Sequence, residues 1–168
     1  MHVSELKRKT CCFTGHRNIP TEKIQEIAEM TAEEIHRLVI NYGVNIFCVG
    51  GAIGYDTLAA KVLFNIRETA FPNVKVALIY PFDGFSNGWR KEQQDEYETL
   101  LPQYDKTICA CNKPCREAFL VRDRLLVDCS AFCIAYCTRN YGGTAYTVRY
   151  AEQHGISVRN IANEKLRE

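Results

Sequence analysis

The 168-residue sequence has no apolar run near the roughly 18 residues that cross a bilayer, which argues against a helical membrane span. It has almost no surplus charge. Its 21 Lys+Arg against 20 Asp+Glu leave +1, whereas proteins that hold long polyanions carry a basic excess, so nucleic acid is not the expected partner. It has no C-x2-C pair of the kind that holds zinc. It lacks both the G-x-G-x-x-G dinucleotide fingerprint and the G-x4-G-K-[ST] phosphate loop, so neither of those nucleotide-binding modes is expected. The first ten residues, MHVSELKRKT, lack the apolar core of a secretory leader. The expectation is a soluble, cytoplasmic protein with reduced thiols.

What the sequence has in excess is cysteine, nine in all, an odd number that cannot pair fully within one chain. Cys109, Cys111 and Cys115 form C-x-C-x3-C. Cys129, Cys133 and Cys137 are spaced by four, which fits one face of a helix or of a strand. The apolar setting of most of them favours buried small hydrophobes over a metal site, and no metal is expected. Hydrophobic residues at 46% and charged residues at 24% are ordinary for a globular domain and exclude a disordered chain.

Short apolar runs alternate with amphipathic stretches. Runs at 10–14, 44–49, 74–80, 106–111, 131–138 and 157–161 read as strands. Stretches at 21–42, 55–70, 91–101, 115–128 and 144–154 read as helices, the first with apolar residues three and four apart and Gly43 at its end. Strand–helix–strand repetition implies parallel strands with helical crossovers, a single α/β domain over residues 8–163 with tails at 1–7 and 164–168.

In such sheets ligands bind beyond the carboxyl ends of the strands, and the unusual residues collect there. Strand one ends in Gly15-His16-Arg17, strand two in Gly50-Gly51-Ala52, strand three in Pro81-Phe82. Strand five leads through Arg139 to Gly142-Gly143-Thr144. The two glycine pairs either cradle a phosphate against backbone N–H groups or simply make tight turns. Arg17 and Arg139 suit two phosphate oxygens each, or a surface ion pair. His16 is a candidate contact to a base or ribose. Asp56 either caps a helix or accepts from a ribose hydroxyl, and it is the weak candidate for a catalytic carboxylate. Phe82 and Trp89 are candidates for a base-stacking wall, with packing on the sheet edge as the alternative.

Three motifs go further: C-C-F-T-G-H-R (11–17), G-G-A-x-G-Y-D-T-x-A-A (50–60) and Y-G-G-T-A-Y-T-V (141–148). In order and spacing they resemble the YpsA-like family of the SLOG superfamily, which includes DprA/Smf and the LOG phosphoribohydrolases. The resemblance covers about residues 8–163. It implies a Rossmann-like three-layer sandwich with a mostly parallel sheet of about six strands, and self-association into a homo-oligomer. It also implies a pocket for a nucleotide-derived, ADP-ribose-like ligand in a sensing or regulatory protein. The LOG branch uses an Arg and the Glu of P-G-G-x-G-T-x-x-E to hydrolyse nucleotides at the N-glycosidic bond. Here no proline precedes the glycine pair, and Arg149 falls where that Glu would stand. Asp56, Glu92, Asp95 and Asp123 are the other acidic candidates for that role. A DNA-associated or partner-binding protein with a vestigial pocket is the remaining alternative.

Overall fold

A computed structural model describes residues 3–163. Six strands form one sheet: β1 (Thr10–Gly15), β2 (Ile46–Val49), β3 (Lys75–Tyr80), β4 (Lys106–Cys109), β5 (Phe132–Tyr136) and β6 (Ser157–Asn160). Their order is β4-β3-β2-β1-β5-β6, and every neighbouring pair is parallel. The helices are α1 (Val3–Arg8), α2 (Ile24–Tyr42), α3 (Tyr55–Thr69), α4 (Lys91–Leu100), α5 (Ala118–Asp128) and α6 (Gly143–Gln153). This is an α/β, Rossmann-like fold, with all strands parallel rather than most.

Alternation along each strand sorts side chains to two faces. Cys11, Phe13, Phe47, Val49, Val76, Leu78 and Ile134 pack with Ile27, Ile35 and Leu38 of α2 and Ala59, Ala60 and Leu63 of α3. Cys12, Cys48, Ile79 and Cys133 face Leu126 and Val127 of α5 and Ala151 of α6. Burial on both faces is why these strands read as unbroken apolar runs. In register, Cys12 lies beside Cys48 on one neighbouring strand and beside Cys133 on the other, a row of three thiols across the middle of the sheet.

All nine cysteines are free thiols. Cys11, Cys12, Cys48, Cys133 and Cys137 are buried, Cys109 and Cys111 half-buried, and Cys115 and Cys129 exposed. The expected grouping of Cys129, Cys133 and Cys137 on one element does not form. Cys129 is the C-cap of α5, Cys133 lies in β5, and Cys137 follows that strand's last residue. Among the described residues no group of His, Cys, Asp and Glu is placed to hold a metal. No helix among them is long and apolar enough to cross a membrane.

Most expected elements form within a residue or two of their expected ends. Gly43 caps α2 in the left-handed region, φ +67. The exceptions have local causes. Residues 21–23 form a 3-10 turn ahead of α2. The helix expected from Cys115 begins at Ala118, and Cys115 lies in the turn before it. Part of the expected N-terminal tail is helical: α1 is joined to β1 by the Thr10 hydroxyl, which donates to the Leu6 carbonyl at 2.7 Å.

From β1 the chain builds outward through β2 and β3 to β4, then returns to the other side of β1 for β5 and β6. β1 and β5 are therefore neighbours whose following helices, α2 and α6, cover opposite faces of the sheet. A crevice opens beyond the carboxyl ends of two such strands.

Candidate functional site

A cleft of about 710 Å³ occupies that crevice. Thr14 to Asn18 line it after β1, Tyr136, Thr138 and Arg139 after β5, and Gly143 and Thr144 open α6 against it. From the other side come Ala52 and Asp56, and from α5 Phe119, Arg122 and Asp123.

The ends of β1 and β5 are tied by His16. Its ring is buried, 6% exposed, and its Nε2 accepts the Thr138 N–H at 2.8 Å. A nitrogen that accepts carries no proton, so the imidazole is neutral with its hydrogen on Nδ1. Burial, and then the nearby Arg139, lower its pKa in the same sense. His16 also meets the Tyr136 ring edge-on. One step along, the Asn160 side chain brackets Cys137. Its amide donates to the Cys137 carbonyl at 2.8 Å, and its Oδ1 accepts the Cys137 N–H at 3.1 Å. The chain leading to Arg139 is thus held on both sides.

Arg17 and Arg139 are exposed, and among the described residues neither has a carboxylate within ion-pair distance. Each guanidinium lies over an aromatic ring, Arg17 over Phe119 at 5.5 Å and Arg139 over Tyr141 at 5.0 Å. These contacts orient the forks without neutralising them. Gly142, at φ +91, is the N-cap of α6. The first N–H groups of that helix have no intrahelical acceptor and carry the positive end of its dipole.

The other glycine turn is engaged internally. Asp56 Oδ2 accepts the Ala52 N–H at 3.1 Å, so this carboxylate closes the turn and makes no cap to α3. Arg122 Nη1 donates to the Gly50 carbonyl, and Arg122 Nε donates to Asp123 Oδ1 at 2.7 Å. A Cβ on Gly50 would lie 2.8 Å from Asp56 Oδ2 and 2.9 Å from Arg122 Nη1. A Cβ on Gly51 would lie 2.7 Å from Leu78, with Tyr97 and Phe85 beyond, so Gly51 faces the packing of β3 and α4. Burial pushes the Asp56 carboxyl up to about 6, against the opposing pull of Arg122 and the Ala52 N–H. Burial likewise raises Asp123, with Arg122 opposing.

The cleft therefore brings together Gly15, His16, Arg17, Ala52, Asp56, Arg139, Gly143 and Thr144 of the sequence candidates. Gly50, Gly51 and Gly142 stand in the supporting turns and do not line it. Phe82 meets the cleft residue Phe119 edge-on at 5.8 Å. Trp89 packs with Phe85 and Tyr97 near α4, away from the cleft. Glu92 lines an adjoining cleft of about 530 Å³ that shares Arg17 and Asn18. Asp95 pairs with Lys91 on the exposed face of α4.

Sequence reasoning missed Arg122 as a site residue and Gly54 as the latch that shapes the site. Gly54 sits at φ +83, where a Cβ would come within 2.2 Å of the Arg17 carbonyl oxygen. Its close approach lets the Tyr55 N–H donate to the His16 carbonyl at 3.0 Å. Gly15 is held as tightly, since a Cβ there would enter the Tyr55 ring at 2.3 Å. The repeated glycines at 50, 51 and 54 were the available signal for the latch.

Residues 11–166 match the sequence model of a family described as YpsA: YspA SLOG family. UPF0398 protein ABC2016 of Shouchella clausii is 27% identical over 141 residues, covering 82% of this chain and 75% of its own length. UPF0398 protein YpsA of Bacillus subtilis is 24% identical over 135 residues, covering 76% and 74%. Among solved structures, DNA processing protein A of Helicobacter pylori, described for its single-stranded DNA binding mode, superposes with a TM-score of 0.63. It is 17% identical, with 96% of this chain and 68% of that chain covered. DprA of Streptococcus pneumoniae gives 0.65 at 15% identity, with 96% of this chain matched to about half, 53%, of that one. At these identities the two structures speak for the fold.

Proposed function

The chain belongs to the YpsA-like SLOG family, and from that premise we propose that it binds a small anionic, nucleotide-derived ligand in the cleft between β1 and β5, in a sensing or regulatory role. The observation that carries this reading is the pair of arginines, Arg17 and Arg139, unpaired with any carboxylate among the described residues and facing the same cleft as the first turn of α6. Two guanidinium forks and a helix N-terminus around one cavity suit a phosphate. The neutral total charge agrees with a few well-placed cations rather than a broad basic surface.

The test is a thermal-shift panel of AMP, ADP-ribose, NAD and cyclic dinucleotides. A ligand at 100 times its dissociation constant adds about 2.7 kcal/mol, a rise of roughly 5–10 °C for a domain of this size. Arg139→Ala should weaken binding about tenfold or more, as loss of a charge-assisted hydrogen bond does, and should leave unfolding in the absence of ligand unchanged, because the side chain is exposed. No shift with any member of the panel would overturn the reading.

One observation favours a second reading, hydrolysis at an N-glycosidic bond. Asp56, with its carboxyl raised to about 6, borders the cleft and is suited to exchange a proton near neutral pH. Release of free base from nucleoside monophosphates would support it, and intact nucleotides after prolonged incubation would exclude it. Retention of a single-stranded oligonucleotide with a steep salt dependence would instead favour a DNA-associated role.

A further inference from the structure

Toward the β4 edge of the sheet, the segment between β3 and α4 borders a second kind of cavity, about 270 Å³ in volume. Tyr80 at the end of β3, Phe85 of the segment and Tyr97 of α4 line it, together with Asp83, Leu101 and Thr107. It shares no lining residue with the cleft between β1 and β5 or with the cleft adjoining that one. The segment is fixed by its own turns. The Phe85 N–H donates to the Phe82 carbonyl at 3.2 Å, the Asn87 N–H to Gly84 at 3.0 Å and the Trp89 N–H to Ser86 at 3.0 Å. The Gln94 amide of α4 donates to the carbonyls of Asn87 and Trp89. The walls of the cavity are thus in place before anything binds, which lowers the ordering cost of binding.

The lining holds a single charged residue, and it is acidic. Asp83 Oδ1 accepts the Tyr80 hydroxyl at 2.8 Å. Among the described residues Asp83 has no Lys or Arg within ion-pair distance, so its charge is uncompensated. The rings supply the rest of the field. Tyr80 lies nearly parallel to Phe85, at 21° and 6.1 Å, and Tyr97 stands at 90° to Phe85 at 5.4 Å. Rings at right angles form a corner, and the face of each ring is the negative part of its quadrupole. The hydrogen bond to Asp83 raises the pKa of Tyr80, and burial followed by the Asp83 charge pushes Tyr97 up to about 12. Both phenols are therefore neutral near pH 7, and the cavity keeps one full negative charge beside three rings.

That combination narrows the class of guest. An anion is repelled by Asp83. A neutral apolar guest leaves the carboxylate unanswered. A hard metal ion takes about six oxygens or more, and among the described residues no group is placed to hold one. An alkylated ammonium ion carries its charge under an apolar surface and suits ring faces. The volume lies just below the roughly 300–1,000 Å³ of pockets for drug-sized ligands, which fits a compact cation. We propose that this cavity binds a small quaternary or alkylated ammonium compound, its methyl groups against Tyr80, Phe85 and Tyr97 and its charge beside Asp83. The site is independent of the anion-binding reading of the cleft.

Trp89, the only tryptophan, meets Phe85 edge-on at 5.3 Å and Tyr97 at 5.7 Å, so its fluorescence reports on two walls of the cavity. The test is titration of the full chain at constant ionic strength, followed by that fluorescence and by calorimetry. The probes are tetramethylammonium, choline and the neutral isostere of choline in which carbon replaces the nitrogen. Choline should bind at least about tenfold tighter than the isostere, since only the cation gains from the rings and the carboxylate. Asp83 is exposed, and Asp83→Asn keeps an oxygen for the Tyr80 hydroxyl, so the fold should persist. That variant should bind choline about threefold more weakly or worse, as loss of one exposed charge does, with the isostere unaffected. Equal affinity for choline and its isostere in the wild-type protein would overturn the cation assignment. Choline affinity undiminished in Asp83→Asn would overturn the role of Asp83. No binding of tetramethylammonium or choline by either measurement would overturn the site altogether.

Discussion

Replacing Asp56 with asparagine should stabilise the unliganded protein at pH 8 relative to pH 4, each measured against wild type, and the size of that change follows from the burial of the carboxyl. The carboxyl titrates near 6 in the folded chain against an ordinary value of 3.8. That difference of about 2 units, at 1.36 kcal/mol each, is about 3 kcal/mol. Because the folded-state value is raised, the native state binds the extra proton between those two values. Stability from this group is greatest below pH 3.8, declines as pH rises toward 6, and is lowest and flat above it. Asparagine carries no such proton. The stability of Asp56→Asn minus that of wild type should therefore grow by about 2 kcal/mol between pH 4 and pH 8, the remainder having been lost below pH 4. Urea unfolding of both proteins at pH 4, 6 and 8 measures it. Other carboxylates titrate in both proteins and drop out of the difference, apart from Asp123, whose charge is one of the influences that raise Asp56. A difference that stays constant with pH would refute the claim that burial dominates at Asp56. A difference that shrinks with rising pH would show Arg122 to be the stronger influence.

Two further outcomes follow from the packing. Gly54→Ala combines a positive φ with a Cβ driven onto the Arg17 carbonyl. It should cost more than about 2 kcal/mol in urea unfolding, and a smaller loss would mean that the loop after β1 yields easily. Titration of thiols with an aromatic disulfide reagent should show Cys115 and Cys129 reacting first and Cys109 and Cys111 more slowly. The five buried thiols should react only on unfolding, Cys48 among them with its pKa pushed up to about 12 by burial. Rapid reaction of more than four would contradict the burial of the sheet's middle.

The strands were legible because burial on both faces removes the ambiguity of alternation. TCCFT and VKVALIY have few other ways to be placed. Helix α2 was legible from its period and from Gly43. Helix α1 was not, since six residues carry too little period to separate from a tail. The cleft's lining at 15–17 and 143–144 followed from the rule about strand ends. What the rule could not show is which of two similar glycine turns is already occupied. Gly50-Gly51-Ala52 and Gly142-Gly143-Thr144 look alike in sequence. Only folding brings Arg122, 72 residues away, to the Gly50 carbonyl and turns Asp56 back onto Ala52. Trp89 was misleading for a related reason: its loop carries Phe85 with it, and Tyr97 waits one helical stretch later to complete an aromatic cluster away from the cleft.

The row of thiols at Cys48, Cys12 and Cys133 has a consequence for the floor of the cleft. Leu126 of α5 rests in the same cluster, one turn along from Arg122. The row and α5 pack in one cluster, and α5 also carries Arg122 and Asp123 to the cleft. A cysteine is thinner there than the valine or isoleucine usual in a parallel strand. A larger side chain in the sulfur row would press on α5, the helix whose Arg122 reaches the Gly50 carbonyl, so packing in the middle of the sheet and the polar lining of the cleft are mechanically linked.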